Sequence, residues 1–327
     1  MTNLGRFFLA AAALLSATGY SPAQQIELKP RWIPGKKYSQ SVNMQQETKI
    51  DMGGQTMTQK MSTTTDGSVT VTAHQDPKKK RLVQRFARMV MDMDMAGQKM
   101  HFDSSNPDAG NDPMGASKAL SAMVGKELKL VMDENGKIVE FENLDELTKP
   151  LTEGNPMAAG IMKGMLSKDA ISQSFDQSSL KGLPGKPVKP GDSWPYSVTM
   201  NLPQFGSITL KGTYTFKGMA DKGGAQCAEL TEQGALTMDF DAAGGAKAAG
   251  GDANGLGAAL QQLGMKIDGG TIKGTTWFDP TLGAVREAQF AQNMTIKMNN
   301  PGDPSKVMEL PMQQNITVKL TSVEDVK

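Results

Sequence analysis

A single cysteine, Cys227, stands among 327 residues, so no disulfide can form within the chain and stability has to come from packing. Histidine is nearly as scarce, with only His74 and His101. No Gly-x-Ser-x-Gly, no His-Glu-x-x-His and no paired-cysteine ligand spacing is present, so the common nucleophilic and zinc sites have no sequence basis. Neither sign of charge is in excess: 35 basic against 34 acidic residues leave a formal charge of +1. That balance argues against nucleic acid as a partner and against attraction to an anionic membrane. The basic run Lys78-Lys79-Lys80-Arg81 follows Asp76-Pro77 and reads as a solvated loop. Aromatics make up only 6%. No stretch of the chain approaches the length of a membrane-spanning helix.

The longest apolar run, Phe7 to Leu15, follows Arg6 and has the length of a signal-peptide core. Ser21-Pro22-Ala23 puts small residues at the −3 and −1 positions for cleavage before Gln24. The expectation is a signal peptide at 1–23 and an exported product, periplasmic or extracellular, with no transmembrane segment in the mature chain. No cysteine near the cleavage point offers a lipid-anchor acceptor.

What the chain does have is methionine, 24 residues, and glycine, 35, set in long stretches of period-two alternation. Val42, Met44, Ile50 and Met52 share a parity, a turn at Gly53-Gly54 follows, and Met57 and Met61 continue the same face. That closure sets Ile50 opposite Met57 and Glu47 opposite Lys60. A second hairpin turns at Ala96-Gly97 and sets Met93 opposite Met100, Met91 opposite Phe102, Asp94 opposite Lys99 and Asp92 opposite His101. Leu128, Leu130 and Met132 lead through Asp133-Glu134-Asn135-Gly136 to Val139 and Phe141, a third hairpin. Strands are expected at Tyr196 to Leu202, Ser207 to Lys217 and Ala225 to Thr231. Two closing strands carry Phe290, Met294, Ile296 and Met298, then Met308, Leu310, Met312, Ile316, Val318 and Leu320.

Helices are few. Asp112-Pro113 and Asn155-Pro156 each pair an N-cap with a first-turn proline, the second opening a helix from Met157 to Leu166, and Ser167 caps another reaching Phe175. Trp32-Ile33-Pro34-Gly35-Lys36-Lys37-Tyr38 and Val188-Lys189-Pro190-Gly191-Asp192-Ser193-Trp194 each place an aromatic three residues after Pro-Gly, so the pattern restarts. The predicted organisation is a β domain at 24–150, a helical connector and linker at 151–187, and a second β domain at 188–327 with a flexible Gly/Ala-rich insert at 242–257. The fold class is mainly β: two tandem curved antiparallel sheets, half-barrel-like, with a few short helices.

The Pro-Gly strand openings, Phe102-Asp103-Ser104-Ser105, Pro187-Val188-x-x-Gly191-Asp192-x-Trp194 and Trp277-Phe278-Asp279-Pro280-x-x-Gly283 together resemble an uncharacterised family of exported bacterial β-rich proteins, a domain of unknown function. The resemblance covers most of the mature chain. It implies fold and location, and brings no catalytic residues with it. A looser analogy joins curved sheets of this kind to periplasmic lipoprotein carriers.

No catalytic or cofactor-binding residue is predicted, and no cofactor is expected. Cys227 falls inside an expected strand, His74 lies in an alternating run, and His101 faces Asp92. The metal candidates are Met89, Met91, Met93, Met95 and Met100, because thioethers suit Cu(I). Against them, the same residues share a parity with Phe102 and serve equally as an apolar face, while His101 points the other way. The leading expectation is a non-catalytic envelope protein whose partner is a lipid or other apolar ligand, or another envelope protein. The alternatives are a Met-based copper protein and a structural component.

Overall fold

The computed structural model describes residues 25–51, 56–95, 97–106, 121, 123–147, 167–168, 171–172, 175, 182–202, 206–239, 266–300 and 303–326. The signal peptide and its cleavage point, the Gly53-Gly54 turn, the Asp112-Pro113 helix start, the Met157 to Leu166 helix and the 242–257 insert lie outside the described residues.

Twelve strands form a single sheet in the order β6-β5-β3-β2-β1-β12-β11-β10-β9-β8-β7, with β4 paired to β3. They are β1 Lys36–Asp51, β2 Thr56–Ala73, β3 Lys79–Met95, β4 Gln98–Asp103, β5 Glu127–Asp133, β6 Ile138–Phe141, β7 Ser193–Leu202, β8 Gly206–Lys222, β9 Ala225–Asp239, β10 Lys266–Asp279, β11 Ala284–Asn300 and β12 Asp303–Asp325. The sheet is open, curved and antiparallel, as the alternation predicts. The two runs of strands expected as separate sheets are joined edge to edge: β1 pairs with β12 from Lys36↔Asp325 to Thr48↔Met312. First and last strands therefore lie side by side in the middle, and β6 and β7 form the two outer edges.

Both hairpin registers match the sequence reading. Ile50 lies opposite Met57 and Glu47 opposite Lys60; Met93 lies opposite Met100 and Asp92 opposite His101. In the β5–β6 hairpin Gly136 has the positive φ its turn requires, 80°, but a register shift follows. Met132 pairs with Ile138, so Ile138 is buried and Val139 is 48% exposed. Without the shift, alternation from Leu130↔Phe141 would set Val139 opposite Met132 on the inner face. The strands also run longer than read from sequence, since β8 continues to Lys222 and β9 to Asp239. The Pro-Gly repeat is structural. Gly35 and Gly191 sit at φ 82° and 92°. Each amide donates to the strand paired with the one it opens, Gly35 to Val71 O of β2 (2.8 Å) and Gly191 to Phe216 O of β8 (2.7 Å).

Residues directly opposite in an antiparallel ladder project to one side, so the registers define the two faces. At the base of the sheet, the end holding the Gly35 and Gly191 turns, one face carries two cores. The first gathers Tyr38, Val69, Val71, Leu82, Leu128, Leu130, Met132 and Ile138 under Leu144, Leu147, Ile171 and Phe175. The second gathers Trp194, Tyr214, Phe216, Ala228, Leu230 and Phe278 with Leu28 and Val188. The segment between β6 and β7 thus contributes to both cores, through Ile171 and Phe175 and then through Leu183 and Val188. No described helix is long and apolar enough to cross a membrane.

Candidate functional site

Above the cores the long strands continue, and the same face stays apolar. One row of directly opposed residues runs Phe102, Met91, Thr63, Met44, Ile316, Phe290 across β4, β3, β2, β1, β12 and β11. The next runs Met100, Met93, Met61, Gln46, Gln314, Gln292 across the same six strands. Farther up, Met312 pairs with Met294, Leu310 with Ile296 and Met308 with Met298. From Ile316 to Met308 the strand rises by about 27 Å. Of these residues only Phe102 is buried, the rest being half-buried, and those above it belong to neither core. Among the described residues, each strand makes its extensive contacts only with its hydrogen-bonded neighbours. Among those residues no second sheet packs on this face.

Period-two alternation explains why one sheet presents two such different sides. The odd-numbered neighbours on β1, Gln45 and Glu47, point away from Met44 and Gln46, and with Lys60, Ser62, Asp92, Asp94, Lys99, His101, Gln313 and Asn315 they line an open groove of about 710 Å³, whose lining also includes Gln46, Met61, Met93 and Met100. Two side-chain pairs form there. Lys60 lies 3.8 Å from Glu47 and His101 Nδ1 lies 2.7 Å from Asp92, all largely exposed, while Asp94 accepts the Gly97 amide at 3.0 Å. Exposed pairs of this kind contribute little energy, so the groove reads as a solvated face.

The predicted metal candidates fall as follows. Met93 sits between Met61 and Met100, Met91 between Thr63 and Phe102, Met89 opposite Thr65, and Met95 between Gln59 and Gln98. All five share the apolar face, and His101 is on the other side with Asp92. Met61 completes a row of three thioethers that the sequence reading had used only as packing. Among the described residues no group of three or more His, Cys, Asp or Glu is placed to hold a metal ion. His74 lies just past the end of β2 and its Nδ1 accepts the Asp76 amide at 3.0 Å. Cys227 is fully buried, and burial pushes its thiol pKa up, which keeps it protonated and unreactive.

Polar groups on the apolar face were missed. Gln46, Gln314 and Gln292 stand side by side on the three central strands. Glu232 is 3% exposed, hydrogen-bonded by the Tyr196 hydroxyl, and burial pushes its carboxyl up to about 7. The Thr63 and Thr276 hydroxyls are buried with no hydrogen-bond partner. Several of them are in phase with apolar neighbours in sequence: Gln314 lies between Met312 and Ile316, Gln292 between Phe290 and Met294, and Gln46 follows Met44. A polar residue in an apolar phase was the available signal.

Comparison with curated proteins gives no match. Among solved structures, one described as lipid-protein interactions in lipovitellin aligns over 91% of this chain at 11% identity with a TM-score of 0.48, and this chain spans 26% of that one. DynF from the dynemicin biosynthesis pathway of Micromonospora chersina aligns over 91% of this chain and 86% of its own at 8% identity, TM-score 0.20. A DUF1329 family protein from Desulfovibrio piger aligns over 89% and 86% at 10% identity, TM-score 0.16. Residues 77–285 match a family of unknown function, DUF6263, and the chain belongs to that family.

Proposed function

We propose that the chain is a non-catalytic binding protein of the cell envelope that holds an apolar ligand against the upper, Met-rich face of its sheet. The observation that carries this reading is the half-buried apolar face outside both cores, faced by no other strand among the described residues. Burying apolar surface releases roughly 25 cal/mol per Å², so a lipid chain laid along such a face gains what a second sheet would otherwise supply. Methionine suits the task because its unbranched, polarizable side chain adapts to irregular partners. Export to the envelope is part of the proposal and rests on the N-terminal sequence. Native mass spectrometry of protein purified from its own host's envelope tests it. A co-purifying lipid is expected, and a clean apo mass together with failure to bind a neutral apolar dye sinks it.

One observation favours a second reading. Met61, Met93 and Met100 lie directly opposite one another on adjacent strands, spaced by about 4.8 Å, and thioethers are soft donors for Cu(I). Against it, Gln59 Nε2 already contacts the Met93 sulfur at 3.7 Å and no imidazole shares the face. Competition with a Cu(I) chelator under reducing conditions decides: binding abolished by Met93→Leu supports a copper site, and wild-type protein that leaves Cu(I) on the chelator removes it.

A further inference from the structure

The upper apolar face is not uniformly apolar: on its central strands three neutral polar residues are aligned. Gln46, Gln314 and Gln292 occupy one row on β1, β12 and β11, flanked on the β2 side by Met61 and on the β10 side by Ile272. All three are half-buried. A primary amide offers two N–H donors and a carbonyl, and this row uses little of that capacity. Gln46 Nε2 donates to Thr48 Oγ1 at 3.2 Å. Gln314 Nε2 lies 2.9 Å from the Met44 sulfur, a weak acceptor, and 3.5 Å from Gln46 Oε1. Gln292 has no side-chain hydrogen bond among the described residues. One row below, between Met91 and Met44, the Thr63 hydroxyl is buried with no partner.

Ligand sites are mostly apolar with a few placed polar groups that fix orientation, and covering unsatisfied amides with hydrocarbon alone would cost their lost hydration. No residue of the row, or of the rows directly above and below it on β1, β12 and β11, is charged, so nothing there compensates a carboxylate, phosphate or ammonium. We propose, resting on the apolar-ligand reading above, that the Gln46–Gln314–Gln292 row selects amphiphiles with an uncharged hydrogen-bonding head, an ester, amide or hydroxyl, whose alkyl chain lies along the methionines.

The test uses matched twelve-carbon ligands below their aggregation concentrations, displacing Nile red from the full chain. Monododecanoylglycerol and dodecanol are expected to displace the dye at concentrations at least tenfold lower than dodecanoate or dodecylammonium. The Gln46→Leu/Gln314→Leu double variant, checked for folding by circular dichroism, should retain dye binding and lose that preference. Gln314→Glu should shift it toward dodecylammonium. Charged heads that bind as tightly as neutral ones, or a preference that survives in the double variant, would overturn the head-group assignment and leave apolar binding standing. A wild-type protein that binds neither dye nor any ligand overturns both.

Discussion

The Tyr196 hydroxyl donates a hydrogen bond to the Glu232 carboxylate from two strands away. The strand between them carries Gly212, where an added Cβ would stand 2.7 Å from the Tyr196 hydroxyl oxygen, so the glycine is what lets the ring reach across. Glu232 is buried on the apolar face, and burial raises its carboxyl from 4.5 to about 7. The native state therefore keeps a proton that the unfolded chain gives up between pH 4.5 and 7, and stability falls as pH rises through that window. The full loss is on the order of 3 kcal/mol at most. Urea unfolding should show wild type more stable at pH 5 than at pH 8. Glu232→Gln should flatten the profile, and an unchanged profile in that variant would exclude Glu232 as its source.

Gly274 has a similar role beneath Phe290. A Cβ on Gly274 would collide with the Phe290 ring, and the Gln289 carbonyl would stand 2.7 Å from it. Gly274→Ala should cost about 1–3 kcal/mol through overpacking. Phe290→Leu combined with it should recover part of the loss, because the ring is removed while the carbonyl contact stays. Strict additivity of the two changes in a double-mutant cycle would show that the ring is not what Gly274 accommodates.

Most of the strand pairing was legible because alternation fixes which residues can oppose, and a one-residue slip would turn Ile50 and Met57 to the polar side. The same rule picks out Met294, Ile296 and Met298 as one alternating run and Met308, Leu310 and Met312 as another, and the β11–β12 register sets the two runs opposite each other. Local pattern was silent on what pairs at long range. Nothing in the sequence near Tyr38 announces that β1 meets β12, and a register shift between Val131 and Met132 takes Val139 off the inner face. The candidate surface was half legible. The methionines were found from their phase, whereas the glutamines were passed over because a polar residue in an apolar phase looks like noise until the strands are aligned and three of them fall in one row.

The cores and the upper face should answer differently to truncation. Leu130 is fully buried in the first core, and Leu130→Ala should cost on the order of 2–5 kcal/mol. Met93 is half-buried and outside both cores, so Met93→Ala should cost about 1 kcal/mol in ligand-free protein, with Met93→Leu nearly neutral. Chemical denaturation measures both. A Met93→Ala loss equal to that of Leu130→Ala would mean that the upper face is closed core.

The segment preceding β1 ties the two cores together, and weakening its anchor in the second core should show whether they unfold as one. Ile26 and Val188 exchange two backbone hydrogen bonds of 2.9 Å, and Leu28 is 2% exposed within the second core. The Arg31 amide then donates to Gly283 O at 2.8 Å, Lys80 donates to the Trp32 carbonyl at 2.9 Å, and the Trp32 ring stands edge-on to Tyr38 at 5.3 Å in the first core. Leu28→Ala removes side-chain volume from the second core and should cost on the order of 2–5 kcal/mol. Because β1 and β12 continue the sheet across the midline, unfolding of this variant should remain a single transition, with tryptophan fluorescence and far-ultraviolet circular dichroism coincident. Two separated transitions, with only the second core lost in the first, would mean that the β1–β12 ladder does not couple the halves energetically.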